Sequence, residues 1–157
     1  MSTLELFHSI QTSHLSSVLG EQNHLFGAVA ELFHIAGLIL VLSSILLVSL
    51  RLLGLGLRAH TVPQIFKATS RFFWIGLAFL VVSGLFLFIP AADQYYPNSI
   101  FWYKFVLLAA ALLVHLTLYQ WVAKLQSPKP AVAKLTGLIA LSLWFSVAFS
   151  GRFIGFF

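Results

Sequence analysis

Two histidines, His34 and His115, interrupt stretches of sequence that are otherwise almost wholly apolar. Glu31 and Gly37 lie three residues before and after His34, so on a helix all three share one face. Ionisable side chains within apolar helices are costly unless they have partners or a function. Neutral imidazole is the usual axial ligand of b-type haem iron. We therefore expect His34 to bind haem b, with His115 as the second candidate ligand.

Small and basic residues near these histidines fit the same chemistry. Gly37 lies one turn from His34, and Ala111 lies one turn from His115, which would leave room for a flat macrocycle. Three cations near the ends of the apolar stretches are candidates for pairing with haem propionates: Arg71, Lys104 and Arg152. All three are equally explained as side chains that anchor a helix at the membrane surface.

The two histidines differ in their distance from the basic residues that follow them. His34 precedes Arg51 by 17 residues and His115 precedes Lys124 by nine, which corresponds to an offset of roughly 12 Å along a helix axis. This offset argues against one iron bound by both histidines. The alternatives are a ligand for His34 from another subunit, or a second site at His115.

Glu31 and His34 also form the Glu-x-x-His pattern of di-iron carboxylate bundles. Such a centre needs two of these motifs and two further glutamates, whereas the chain has four acidic residues in all. A single copper or zinc ion held by Glu31, His34 and His24 is the alternative metal site. The absence of cysteine excludes thiolate ligands, iron–sulfur clusters and covalently attached haem.

The composition is that of an integral membrane protein. Of the 157 residues, 60% are hydrophobic and 8% are charged, which is too few to cover a soluble domain. The formal charge of +5 is spread between apolar segments, so it fits a topology signal and not nucleic-acid binding. No motif for hydrolysis or phosphoryl transfer is present, and whether the protein is an enzyme stays open.

Hydrophobic patterning predicts a single all-α domain over residues 1–157, a bundle of four transmembrane helices. The spans are expected at about 25–53, 72–89, 100–123 and 135–154. The pattern of residues 1–20 predicts an amphipathic helix that lies at the membrane surface. Thr61 and Pro63 predict a helix start that leads into the second span.

The connections after the first and third spans are basic and contain no acidic residue. The positive-inside rule therefore places them in the cytoplasm of a bacterial cell, with both termini on the periplasmic side of the inner membrane. Tyr95 and Tyr96 would mark the opposite interface. His8, His14 and His60 are expected to be solvated.

Helices in lipid associate through small residues, because lipid is as apolar as leucine. The expected contact positions are Gly37, Ser43, Ser44, Gly76, Ser83, Gly84, Ala109, Ala110, Ala111, Ser142, Ser146 and Ser150. The three serines 142, 146 and 150 would form a subunit contact if the protein is a homo-oligomer or part of a complex.

The chain resembles a family of small bacterial four-span membrane proteins of uncharacterised function. The resemblance is carried by Glu31-Leu-Phe-His34-Ile-Ala-Gly37, Arg51-Leu-Leu-Gly54, Trp74-Ile-Gly76, Ser83-Gly84-Leu85, Lys104, His115 and Ser150-Gly151-Arg152-Phe153. More loosely, the architecture is similar to four-helix cytochrome b561-like and copper-resistance-type membrane proteins. In those proteins intramembrane histidines serve haem or metal, although this chain does not show the two histidine pairs of a dihaem protein.

Three hypotheses follow. The first is a small b-type cytochrome that passes electrons to or from a quinone or a partner protein. The second is a non-catalytic membrane subunit in which Glu31, His34, Lys104, His115 and Arg152 form an internal polar network. The third is the handling of copper or another metal.

Overall fold

The computed structural model describes residues 2–21 and 24–154, apart from the side chain of His24. Within this part of the chain all regular structure is helical. Four helical stretches there are long and apolar enough to cross a membrane: Leu25–Leu53, Val62–Tyr95, Ser99–Lys124 and Pro130–Phe153. The fold is therefore a helical bundle with the lengths and composition of a multi-pass membrane protein, as the sequence predicts.

The helices are numbered in chain order. They are α1 (Thr3–Gln11), α2 (His14–Gly20), α3 (His24–Leu53), α4 (Val62–Phe88), α5 (Ala92–Tyr95), α6 (Ser99–Val114), α7 (Gln120–Lys124) and α8 (Pro130–Phe153). A 3₁₀ turn, Ile89–Ala91, joins α4 to α5, and a π-helical segment, His115–Tyr119, joins α6 to α7. The third span is thus one helix with a π-helical turn inside it, which the sequence pattern did not predict.

The two ends of the bundle differ in what they carry. At one end the Asn98 amide donates a hydrogen bond of 3.2 Å to the carbonyl oxygen of Ile154, and α1 lies against Asp93. Both described termini therefore lie together, and we call this the terminal end. The α3–α4 and α7–α8 connections, which include Arg58 and Lys129, lie at the other end, which we call the basic end.

Helix α4 begins where its first turn is capped. The Thr61 hydroxyl accepts a hydrogen bond from the Gln64 backbone N–H, and the Gln64 side chain accepts one from the Thr61 N–H. Pro63 lies in the first turn, where a missing N–H costs nothing. The predicted helix start is therefore confirmed, and α4 begins at Val62 and continues unbroken through the span expected at about 72–89. Helix α8 likewise begins at Pro130, five residues before the span expected from residue 135.

The N-terminal segment forms two short helices and not the single helix expected over residues 1–20. Helix α1 ends at Gln11, and the Ser13 hydroxyl then accepts a hydrogen bond of 3.2 Å from the Ser16 N–H. Serine is a favoured N-cap because its side chain satisfies a backbone donor that the new helix leaves free. The chain therefore restarts as α2 at His14.

Helix α1 docks on the connection that follows α4. The Phe7 ring is buried and meets the ring of Phe88 edge-on at 5.4 Å. Nδ1 of His8 lies 3.1 Å from a carboxylate oxygen of Asp93, and the Gln11 side chain accepts a 2.6 Å hydrogen bond from the Asp93 N–H. His8 is exposed as expected, but it also holds this connection. His14 and His60 are exposed, as the sequence predicts.

Helix α3 packs along α4 with a close approach at two glycines. A Cβ atom placed on Gly37 or on Gly76 would lie 2.7 Å from the carbonyl oxygen of the other. Backbone atoms occupy that space, so only glycine allows the helices to come this close. The expectation that small residues mark this contact is confirmed.

Helix α8 packs on α3 and α6 packs on α8, whereas the backbone of α6 hardly approaches that of α3 or α4. Side chains still meet at the terminal end, where the ring of Phe101 on α6 stacks on Phe88 of α4 at 5.6 Å. The second and third spans meet mainly through α4 and α7, near the basic end. The shared core is apolar and almost fully buried. It includes Val41, Ile45, Val48, Phe73, Val122, Ala140 and Trp144.

The serine repeat on α8 does not form a packing seam within the chain. Ser142 and Ser146 are exposed on the surface of the bundle, and Ser43 on α3 and Ala109 on α6 are exposed as well. The prediction of a contact within the chain at these four positions is therefore wrong, because their helix faces point away from the neighbouring spans. A subunit contact at Ser142 and Ser146 stays a prediction.

Candidate functional site: an imidazole anchored on α4

His34 lies in the half of α3 nearer the terminal end, with its ring against α4. Nδ1 of His34 is 3.0 Å from the Ser83 hydroxyl oxygen. The ring passes over Gly84, where an added Cβ would lie 3.4 Å from Cε1 of the imidazole. Gly84 thus provides the flat surface on which the ring rests. His34 is half-buried, and Ser83 is buried.

The hydrogen bonds around Ser83 assign the proton on the imidazole. The Ser83 hydroxyl donates to the carbonyl oxygen of Phe79, one turn earlier on α4. Because that hydroxyl has one hydrogen, it accepts from His34, and Nδ1 is the donor. Nδ1 therefore carries the proton, and Nε2 keeps the lone pair that a ligand to iron needs.

Lys104 brings a positive charge to the same region from α6. Its ammonium lies within electrostatic range of His34. The side chain runs past Gly151 on α8, where an added Cβ would meet Nζ of Lys104 at 3.4 Å and Cε at 3.5 Å. The residues His34, Ser83, Gly84, Lys104 and Gly151, which we call the His34 cluster, therefore come from all four spans.

Two other predicted residues lie close to this cluster in sequence. Arg152 follows Gly151 directly and is exposed at the terminal end. Glu31, one turn before His34, is also exposed and lies within electrostatic range of Tyr95. The remaining member of the alternative metal site, His24, has a side chain outside the described residues. Among the residues that the structure does describe, no group of three His, Asp or Glu side chains is placed to hold a metal ion.

His115 occupies a different environment, an aromatic enclosure in the core. Its ring stacks on Phe73 with centroids 3.9 Å apart and an angle of 12° between the planes. Tyr119 stacks at 5.2 Å, and the rings of Trp74 and Trp144 meet the imidazole edge-on. The side chain is 4% exposed, and within the described part of the chain its Nδ1 has no hydrogen-bond partner.

The two histidines do not come together. His34 contacts α4 at Ser83 and His115 contacts it at Phe73, ten residues earlier. That separation is about 15 Å along the helix. The offset expected from the sequence is therefore present in the fold, and a single iron bound by both side chains does not fit. Arg71, two residues before Phe73, lies on the His115 side of the bundle.

The sequence pattern did not predict a group of buried hydrogen bonds formed by Tyr119, one helical turn after His115. The Tyr119 hydroxyl donates to the carbonyl oxygen of Ile45 at 3.2 Å and lies 3.4 Å from the Ser49 hydroxyl, with both side chains at most 1% exposed. These bonds tie the π-helical segment to α3. The sequence signal for this group was a tyrosine four residues after His115. The signal was not sufficient, because a single π-helical turn leaves no periodic pattern in the sequence.

Comparisons with known proteins show which family the chain belongs to. No curated protein and no solved structure gives a significant match to the chain. A family model described as a family of unknown function, DUF6644, matches residues 6–157. This match covers nearly the whole chain and both histidine sites, and it agrees with the uncharacterised family that the sequence resembles. The protein belongs to this family of unknown function, DUF6644.

Proposed function

We propose that the protein is a small membrane cytochrome that binds haem b through Nε2 of His34 and transfers electrons to or from a quinone or a partner protein. The single observation that carries the proposal is the anchored imidazole. Nδ1 of His34 donates to Ser83, which leaves Nε2 with its lone pair. Ligating histidines commonly donate their other N–H in this way, because it fixes the ring and raises its basicity.

The surroundings of His34 suit a large planar group. Gly84 presents no side chain beneath the ring, and the backbone of α6 hardly approaches that of α3 or α4. Lys104 would meet a propionate from the terminal end, with Arg152 as the second candidate. When bound, the haem would accept and release one electron, while the chain would supply the ligand, the charge and an apolar enclosure.

A second ligand for this haem would come from outside this chain. His115 is about 15 Å along α4 from the contact of His34, and aromatic rings enclose it. Its role as a ligand of a separate haem stays a prediction.

The second candidate function is a non-catalytic membrane subunit. The observation that favours it is that the polar side chains connect spans: His34 reaches Ser83, Lys104 passes Gly151, and Tyr119 reaches Ile45. Such contacts fix helix packing without a cofactor. The exposed Ser142 and Ser146 would then contact another subunit.

The proposed location is the bacterial inner membrane, with the basic end in the cytoplasm and both termini in the periplasm. Seven of the nine Lys and Arg residues belong to the basic end, since Lys104 and Arg152 are the two that do not. The positive-inside rule supports this orientation.

The proposal is tested by an optical difference spectrum, reduced with dithionite minus oxidised, on protein purified from its native membrane in mild detergent. We expect the α-band of a b-type haem in the wild type and its loss in His34→Ala. The matched control is His60→Ala, which removes an exposed histidine and should leave the band unchanged.

His115→Ala separates the two histidines, and we expect it to keep the band. Loss of the α-band in His115→Ala, with the band retained in His34→Ala, would identify His115 as the haem ligand instead. Folded protein without Soret absorption, even after haem supplementation during expression, would contradict the cytochrome proposal and favour the subunit.

A further inference from the structure

At the basic end, one face of α4 and the end of α7 enclose a groove of about 570 Å³. The residues of α4 that line it recur at helical spacing, so they form one stripe along the helix. They are Pro63, Phe66, Lys67, Ser70, Arg71 and Trp74, and Lys124 closes the groove from α7. The His34 cluster lies toward the terminal end of the bundle, and it shares no residue with this groove.

The charge of this groove is unbalanced. Lys67, Arg71 and Lys124 are all exposed, and the described part of the chain supplies no carboxylate to pair with them. All four acidic residues, Glu5, Glu21, Glu31 and Asp93, belong to the segments of the terminal end. Lys124 donates a hydrogen bond of 3.4 Å to the side-chain oxygen of Gln120, which is uncharged.

The other walls of the groove are apolar. Phe66 and Pro63 line it, and Trp74, which is 44% exposed, lies one turn beyond Arg71 toward the membrane centre. A ligand that fits both parts carries negative charge near Lys67 and hydrocarbon near Trp74. A phospholipid with an anionic headgroup has this arrangement, and basic pockets between spans are where such headgroups bind.

We propose that this groove binds the headgroup of an anionic phospholipid, with Lys67, Arg71 and Lys124 holding its phosphate and Trp74 lying against the upper part of its acyl chains. Arg71 then acts as a lipid ligand and not as a partner of a propionate near His34. The site does not depend on the presence of haem.

The test uses full-length protein in phosphatidylcholine nanodiscs, to which phosphatidylglycerol or phosphatidylcholine with brominated acyl chains is added. Bromine quenches nearby tryptophan, so the difference between wild type and Trp74→Phe reports the groove. We expect phosphatidylglycerol to quench this signal at a lower mole fraction than phosphatidylcholine. Each cation removed should weaken binding about five-fold, so Lys67→Gln with Arg71→Gln should weaken it about 25-fold.

Lys129→Gln is the matched control, because it removes an exposed cation of the same end that does not line the groove. It should leave the preference unchanged. Equal quenching by the two lipids, or a preference that survives in the double variant, would overturn the proposal. Displacement of the lipid by millimolar inorganic phosphate would assign the site to a soluble anion instead.

Discussion

At the scale of single residues, the structure separates two histidines that look alike in the sequence. His34 has an Nδ1 that is hydrogen-bonded to Ser83, whereas His115 is enclosed by rings and has a buried Nδ1 without a partner among the described residues. The first environment fixes the orientation of the imidazole, and the second packs it as an aromatic ring. Ser83, which the sequence marks only as a small residue, makes this difference.

Ser83→Ala should therefore release the ring of His34. Without the hydroxyl as acceptor, the proton of the neutral ring is no longer fixed on Nδ1. We therefore expect the affinity of His34 for haem to fall by about 10- to 100-fold. In cofactor-free protein, the 15N shifts of the His34 ring should change from those of a pure Nδ1–H form to a tautomer mixture. Ser43→Ala, an exposed serine on α3, is the control. Identical 15N shifts in Ser83→Ala and wild type would contradict this assignment.

At the scale of elements, α3 and α4 approach each other closely, and the third span contains a π-helical turn. Gly37 and Gly76 let the two backbones meet, which brings Ser83 within reach of His34. In the third span, the turn His115–Tyr119 places both aromatic side chains in the core. Its Tyr119 hydroxyl then bonds to α3 at Ile45.

Gly37→Ala should separate α3 from α4, because the new methyl carbon would lie 2.7 Å from a backbone oxygen and 2.9 Å from Cβ of Phe79. We expect a loss of about 1–3 kcal/mol in the free energy of unfolding, measured in mixed micelles with an increasing fraction of SDS. Gly27→Ala is the control on the same helix, since an added Cβ there meets nothing within 4 Å. Equal stability of the two variants would rule out the close approach.

At the scale of the whole molecule, charge and packing agree about which segments lie together. The terminal end holds α1, α2, α5 and both described termini, with Phe7 buried among aromatic rings. The basic end holds the other two connections and the groove beside Trp74. This division predicts the orientation in the membrane, because basic connections are retained in the cytoplasm.

Single cysteines can test that orientation cleanly, because the chain contains none. Ser127→Cys, in the α7–α8 connection, should react with a membrane-impermeant maleimide only after the cells are opened. Gln94→Cys, exposed on α5, should react in intact spheroplasts. The cysteine-free wild type is the control for background labelling. The reverse pattern would place the termini in the cytoplasm.

Much of the fold could be predicted from the sequence. Apolar length, the Thr61 cap, Pro63 and the basic connections are local signals, because they act through hydrophobicity, backbone hydrogen bonding and charge that each segment carries by itself. They identified four spans and the helix start at residue 62. They also identified His34 as the histidine to examine first.

The tertiary structure decided what each polar residue touches. A hydrogen bond such as His34 to Ser83 joins residues 49 positions apart, and no local pattern encodes that register. The same holds for the face on which Ser142 and Ser146 lie, and for the turn that places His115 among aromatic rings. These features depend on how one helix rotates against another, and that rotation follows from side-chain packing between spans, which a single helix cannot specify.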